Sequence, residues 1–270
     1  MNESKKGVYM FNGQTHNFVP IDEAITTFAP MINESHLQVM MGKVDGFSLS
    51  RRFAVSDQIT STRGDVWSLP GSKVLPAAAG VVSITSTSLL DTGGGTGART
   101  VDLVGVDADY KQITETVTLK GLLPVVTTQK FLRLLRFQAG EVGVSASNAG
   151  LITAVIGGYP QAQMVAGESF AFMSHFTVPL GRTMYVKTIF ASVGKNVECR
   201  LSVWLRQYGR ALRVSTQIDV YQNVEMIPLE YSLILPERSE IMLKAQNLGN
   251  GTVRVVAGYI YMLTENEPTP

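Results

Sequence analysis

The stretch DTGGGTGART, residues 91–100, places four glycines within five positions. Loops of that composition can turn several backbone N–H groups toward one anion, which is how phosphates are held at glycine-rich turns. Two phosphate motifs are worth matching. The first needs a lysine directly after its last glycine, whereas Gly97 is followed by Ala98 and Arg99. The second, G-x-G-x-x-A, is met by Gly93, Gly95 and Ala98, but it requires a helix immediately after it. The residues after Ala98 are RTVDLVGV, β-branched and without helical period. The expectation is therefore a turn between two adjacent strands, SITSTSLLD and RTVDLVGV, with glycines supplying positive φ.

Other chemistry-bearing residues are few. His16, His36 and His175 have none of the spacings that bind metal. Ser169 in GESFA misses a nucleophile elbow, which would end in glycine rather than Ala171. Asp107 and Asp109 could meet a hard cation, but too few further oxygen ligands surround them, so a plain turn is expected. No catalytic residue, cofactor or metal is expected, and no enzyme.

The most informative anomaly is Trp204. In VECRLSVWLRQY the residues Val197, Cys199, Leu201, Val203 and Leu205 alternate with Glu198, Arg200, Ser202, Trp204 and Arg206, the two-residue period of a half-buried strand. After a turn at Gly209, the next run sets Arg213, Gln217 and Tyr221 on a matching outward face. Exposed Trp, Tyr and Arg together mark contact surfaces. Three readings compete for this face: a subunit interface, a layer covered by the N-terminal arm or the middle domain, and a sugar-stacking platform. The interface expectation comprises Arg200, Trp204, Arg206, Arg213 and Tyr221, joined by Tyr9, Phe11 and Phe18 of the arm.

The elements that would position these residues are strands. Further strands are expected at 227–235, 241–245 and 252–263, and ITETVTL alternates Ile113, Val117 and Leu119 with a polar row of Thr114, Thr116 and Thr118. Turn-rich VPLGR, VGKN, LPERSE and NLGNG separate the later ones. The expected fold is all-β: an N-terminal extended arm over 1–45, a first β-sandwich over 46–160, a jelly-roll-like second sandwich over 161–266 and a tail at 267–270. The boundary rests on the GGYP turn near residue 160. Within the arm, Asn12-Gly13 predicts a hairpin, and Ile21, Ile25 and Phe28 a short helix.

Composition bounds the function classes. With 23 Lys and Arg against 22 Asp and Glu the net charge is +1, which gives no general pull toward nucleic acid. The single cysteine, Cys199, excludes an intramolecular disulfide and suits assembly in a reducing cytoplasm. No window approaches a membrane span, and no leader pattern opens the sequence.

DTGGGTGARTVDLVGVDADYKQITETVTLKG, continued by PVVTTQKFLRLLRF, resembles a β-domain of structural proteins in tailed bacteriophages, and FTVPLGRTMYVKTIFASVGK is similar to the sandwich that comes after it there. The resemblance spans roughly residues 75 to 265. It implies a virion component assembled in the bacterial host, a collar, tail-fibre anchor, fibre or capsid decoration. The partners it implies are further copies of the chain and other virion proteins. A glycan- or receptor-binding module on the virion exterior is the alternative.

Overall fold

The computed structural model describes residues 9–12, 17–20, 39, 41, 43–221 and 224–266. The chain divides into two compact units, Met1–Asp45 and Gly46–Pro270. In the first, β1 (Tyr9–Asn12) pairs antiparallel with β2 (Asn17–Pro20), as Asn12-Gly13 predicts. The expected helix at 21–28 and the tail at 267–270 lie outside the described residues.

Every element bounded in the second unit is a strand. It begins with β3 (Phe47–Ile59) and the two-residue β4 (Gly64–Asp65). Then come β5 (Gly80–Ser86), β6 (Thr100–Val106), β7 (Gln112–Thr118), β8 (Val125–Phe131), β9 (Arg133–Ala139), β10 (Ile152–Ile156) and β11 (Tyr159–Met164). The last group is β12 (Phe176–Thr177), β13 (Arg182–Val193), β14 (Glu198–Arg206), β15 (Arg213–Tyr221), β16 (Val224–Leu235), β17 (Glu240–Asn247) and β18 (Val253–Glu265).

The pairing sorts these strands into two sandwiches. One consists of sheets β11-β10-β5-β8 and β7-β6-β9; the other of β16-β13-β18-β3 and β12-β17-β14-β15, with β4 added beside β17. Counting β3 and then β12 to β18 as strands one to eight, the second sandwich runs 6-3-8-1 and 2-7-4-5. That interleaving of sequence neighbours between two sheets is a jelly roll.

This order corrects the expected boundaries. Strand β3 pairs along β18, from Phe47↔Thr264 to Ile59↔Val253, so it belongs to the jelly roll and not to the middle sandwich. The middle sandwich is an insertion between β4 and β12. The GGYP turn is internal to it: Gly157 and Gly158, at φ +59° and +85°, close the β10–β11 hairpin, a left-handed conformation that glycine adopts without a Cβ penalty. Turn chemistry reveals that the chain reverses there; it carries no information on which sheet the next strand joins.

Each sandwich has its own core. In the insertion, Val82, Ile84, Leu103, Phe131, Phe137 and Ile152 interdigitate between the sheets. In the jelly roll, Val186, Ile189, Cys199, Leu201, Val203 and Tyr259 do so, and the insertion contributes Val106 and Leu135 to that same cluster. The inward parities of β14 and β18 are as the alternation predicts, with Cys199, Leu201, Val203, Val255, Ala257 and Tyr259 all buried. Burial also pushes the Cys199 thiol up to about 11, which keeps it protonated.

Candidate functional site

The glycine loop does bind an anion, and the anion is its own. Asp91 is fully buried; its Oδ1 accepts from the N–H groups of Ala98 (2.8 Å) and Ala149 (2.7 Å), and its Oδ2 from Ser86 Oγ (2.6 Å) and Gly150 N–H (2.8 Å). Two parts of the expectation are corrected. SITSTSLLD and RTVDLVGV are consecutive but unpaired, since β5 and β6 lie in different sheets and the loop crosses between them. None of Gly93, Gly94, Gly95 and Gly97 has positive φ. Close approach is what demands glycine: a Cβ on Gly95 would lie 2.0 Å from Leu90 O, and one on Gly97 2.2 Å from Asp91 Oδ1.

The other polar candidates resolve into packing and turns. Asp107 Oδ1 accepts from Asp109 N–H and Lys111 N–H, both at 2.9 Å, closing the turn between β6 and β7. Ser169 sits at φ +54° in a loop, its N–H donating to Asn148 Oδ1. Among the described residues no group of three or more His, Cys, Asp and Glu converges on a metal-sized site. His16 and His36 lie outside the described residues, and His175 is buried at the junction of the sandwiches.

That junction holds the densest charge. Glu240, 1% exposed, accepts from Arg133 Nε at 2.8 Å and is paired with Arg206. Arg133 also donates to Pro76 O, and the Arg52 guanidinium reaches from β3 to Leu135 O at 2.6 Å and His175 O at 3.2 Å. Burial alone would raise the Glu240 carboxyl, but His175, Arg133 and Arg206 outweigh it and hold the group well below the ordinary carboxylate range. His175 is lowered to about 4 by burial, and Lys73, whose Nζ is buried without a hydrogen-bond partner, to about 7 for the same reason. The cluster fastens insertion to jelly roll, and sequence spacing did not reveal it because its bonded partners are as much as 123 residues apart.

The Trp204 face is outward, as its parity predicts, yet largely engaged within the protomer. The Trp204 ring lies between Arg63 Cζ at 5.6 Å and Lys244 Nζ at 5.7 Å, and its cross-strand neighbour Met242 is buried. Arg200 forms a two-pronged pair with Asp219 at 2.7 and 2.8 Å. Arg206 is held by Glu240. Arg213 does not share the face: the register slips at Ser215, so Val214 stands opposite Trp204 and Arg213 opposite Leu205. A bulge adds one residue to one strand and reverses parity beyond it, which local alternation cannot show. Tyr221 is 52% exposed at the end of β15. In the N-terminal hairpin Phe11 stands opposite Phe18 and Tyr9 opposite Pro20.

A surface that the sequence reading missed lies on the other sheet. Across β16, β13, β18 and β3 the register aligns Val224, Ser192, Val256 and Val55; then Met226, Phe190, Gly258 and Phe53; then Ile234, Tyr185, Met262 and Leu49. These three rows occupy the face opposite the core. Val224, Met226 and Ile234 are 59%, 62% and 59% exposed. Phe190 lies over Gly258, where any Cβ would meet its ring at 2.4 Å. The signal was present: Val256, Ile260 and Met262 are apolar on the parity of β18 that a solvent-facing sheet would make polar. The exposure is concentrated along β16: Met262 is buried, and at the β3 edge Phe53 packs 5.1 Å from Phe172 of the loop that leaves the insertion.

No protein-family model matches the chain, and no curated protein matches it in sequence. Among solved structures, the chain is similar to that of the infectious bursal disease virus Gt strain, at 8% identity and a TM-score of 0.25, covering 86% of this chain and 77% of that one. A second, infectious bursal virus derived T=1 particles, matches at 11% identity and a TM-score of 0.24, covering 86% and 75%. The Gx strain of the same virus gives 9% and 0.24, covering 83% and 74%. These TM-scores are too low to argue a common fold, and the jelly roll rests on its strand order.

Proposed function

We propose that the chain is a non-enzymatic structural protein of a virion, that of a tailed bacteriophage by its sequence resemblance, acting in a collar, fibre anchor or capsid decoration through self-association and docking to other virion proteins. The observation that carries the reading is the outer face of the sheet β16-β13-β18-β3, whose apolar residues Val224, Met226 and Ile234 stand exposed along edge strand β16. The occupant proposed for that face is a second copy of the chain. Copies bearing a net charge of +1 repel one another little, and the exposed apolar residues Val224, Met226 and Ile234 lie on β16, the strand farthest from the outward Arg51 of β3, so they can meet their own image about a two-fold axis. Unpaired backbone along edge strand β16 extends the proposed contact, and Tyr221, together with the hairpin residues Tyr9, Phe11 and Phe18, is proposed to make separate contacts with other chains.

Light scattering with size-exclusion chromatography tests this on the full chain. The wild type is expected to be oligomeric, and Met226→Asp to be monomeric with an unchanged melting temperature, because that side chain lies outside the core. A monomeric wild type, or an oligomer indifferent to Met226→Asp and to Val224→Asp, refutes the proposed occupant.

A further inference from the structure

Two edge strands face each other where the sandwiches meet: β3 of the jelly roll and β9 of the insertion. Between them lies a cleft of about 390 Å³ whose described lining contains Arg51, Arg52 and Arg136 but no Asp or Glu. Arg51 and Arg136 are exposed and have no ion-pair partner among the described residues. By contrast, a cleft of about 560 Å³ on the other flank of β3 carries both signs, with Arg254 set 3.5 Å from Asp57. The unmatched positive charge is thus particular to the first cleft.

Its walls also present apolar surface and neutral hydrogen-bonding groups. Phe53 and Phe170 contribute aromatic rings, and Gln112, Gln138 and Ser50 contribute amides and a hydroxyl. Arg51 stacks over Phe53 at 5.5 Å, while Arg52 lies over Phe176 at 4.8 Å, fixed by main-chain carbonyls. The volume is in the range of small-molecule sites, roughly 300 to 1,000 Å³. An extended peptide would instead add along a strand edge, using backbone partners over several residues. Here Arg52 spans the gap and occupies the Leu135 carbonyl, so strand addition is obstructed.

We infer that this cleft binds an anionic saccharide, with the guanidinium groups of Arg51 and Arg136 meeting a sugar carboxylate. Guanidinium forks match a carboxylate in two-pronged geometry, and the glutamines and Ser50 suit ring hydroxyls. Phe170 offers apolar surface to a ring face, while Phe53 holds the Arg51 guanidinium at the wall of the cleft. The cleft borders the β16-β13-β18-β3 sheet through Arg51 and Phe53 of β3 but needs no second copy, so the Met226→Asp variant, altered on β16 at the other edge, should still bind.

Calorimetric titration of the full chain with a trimer of galacturonate tests it, with maltotriose as the neutral counterpart. Binding is expected for galacturonate and not for maltotriose, and it should weaken as salt is raised to about 0.5 M. Arg136→Ala and Arg51→Ala should each weaken it about tenfold, the scale of a lost charge-assisted pair. Both side chains are exposed, so melting should be unchanged, and Arg210→Ala, on the β14–β15 turn, should bind as the wild type does. Absence of galacturonate binding, equal binding of maltotriose, or indifference to both arginine variants overturns the inference. So does preferential binding of an acidic peptide, which would assign the cleft to a protein ligand.

Discussion

Replacing Asp91 separates a carboxylate that organises a loop from one that merely occupies it. In Asp91→Ala, the N–H groups of Ala98, Ala149 and Gly150 and the Ser86 hydroxyl lose their acceptor inside the protein. Each buried donor left unpaired costs about 1 to 3 kcal/mol. Water entering the vacated space and rotation of the hydroxyl offset part of that, leaving about 4 kcal/mol, at the upper end for a point substitution. Asp91→Asn keeps the shape but turns one oxygen into a donor. Placed toward Ser86, whose hydroxyl can rotate to accept, the amide leaves the Gly150 N–H as the unsatisfied group, at about 2 kcal/mol. The order Ala worse than Asn comes from geometry alone. Both tryptophans, Trp67 and Trp204, lie outside the sheets of the insertion, so indole fluorescence is a poor reporter. Amide hydrogen exchange is the suitable assay: protection at Ala98, Ala149 and Gly150 should fall in both variants while that of Val203 in the jelly roll holds. Unchanged exchange in Asp91→Ala, or an Asn variant worse than the Ala variant, refutes the reasoning.

Adjacent glycines should respond differently. Gly95→Ala forces a Cβ against the Leu90 carbonyl and should cost about 2 to 3 kcal/mol, whereas Gly94→Ala meets no atom within 4 Å and should stay within about 0.5 kcal/mol, as paired thermal melts would show. Lys73 gives a pH-dependent prediction. Its folded pKa is about 7 against 10.5 when free, so the unfolded chain holds more protons between those values and wild-type stability rises with pH across that window. Lys73→Met removes a buried ammonium that has no hydrogen-bond partner and should therefore stabilise the protein below pH 7, the gain shrinking toward pH 10. A gain that is constant with pH, or a loss at pH 6, would show that Lys73 is not desolvated as placed.

Wherever alternation runs unbroken, the face of each strand was legible. The inward residues of β14 and β18 and the polar threonines of β7 are set by a side-chain period of two. Site geometry was less legible. One residue, Ser215, moved Arg213 off the Trp204 face, and the segment bearing Arg63 covered a ring that parity had correctly turned outward.

By itself, then, the sequence determined the all-β class, the strands over 197–221 and 252–263, the N-terminal hairpin and the absence of a helix after the glycine run, because each is written in residues within about a dozen positions of one another. Tertiary structure decided what depends on distant partners. It joined β3 to β18 across roughly two hundred residues and so made the middle sandwich an insertion. It supplied Asp91 as the anion of the glycine loop, gathered Arg133, Glu240 and Arg206 at one junction, and left Val224, Met226 and Ile234 exposed along edge strand β16. Backbone pairing is the same for every sequence, so the choice of neighbouring strand is made by side chains meeting across the sheet, and those meetings exist only once the chain has folded.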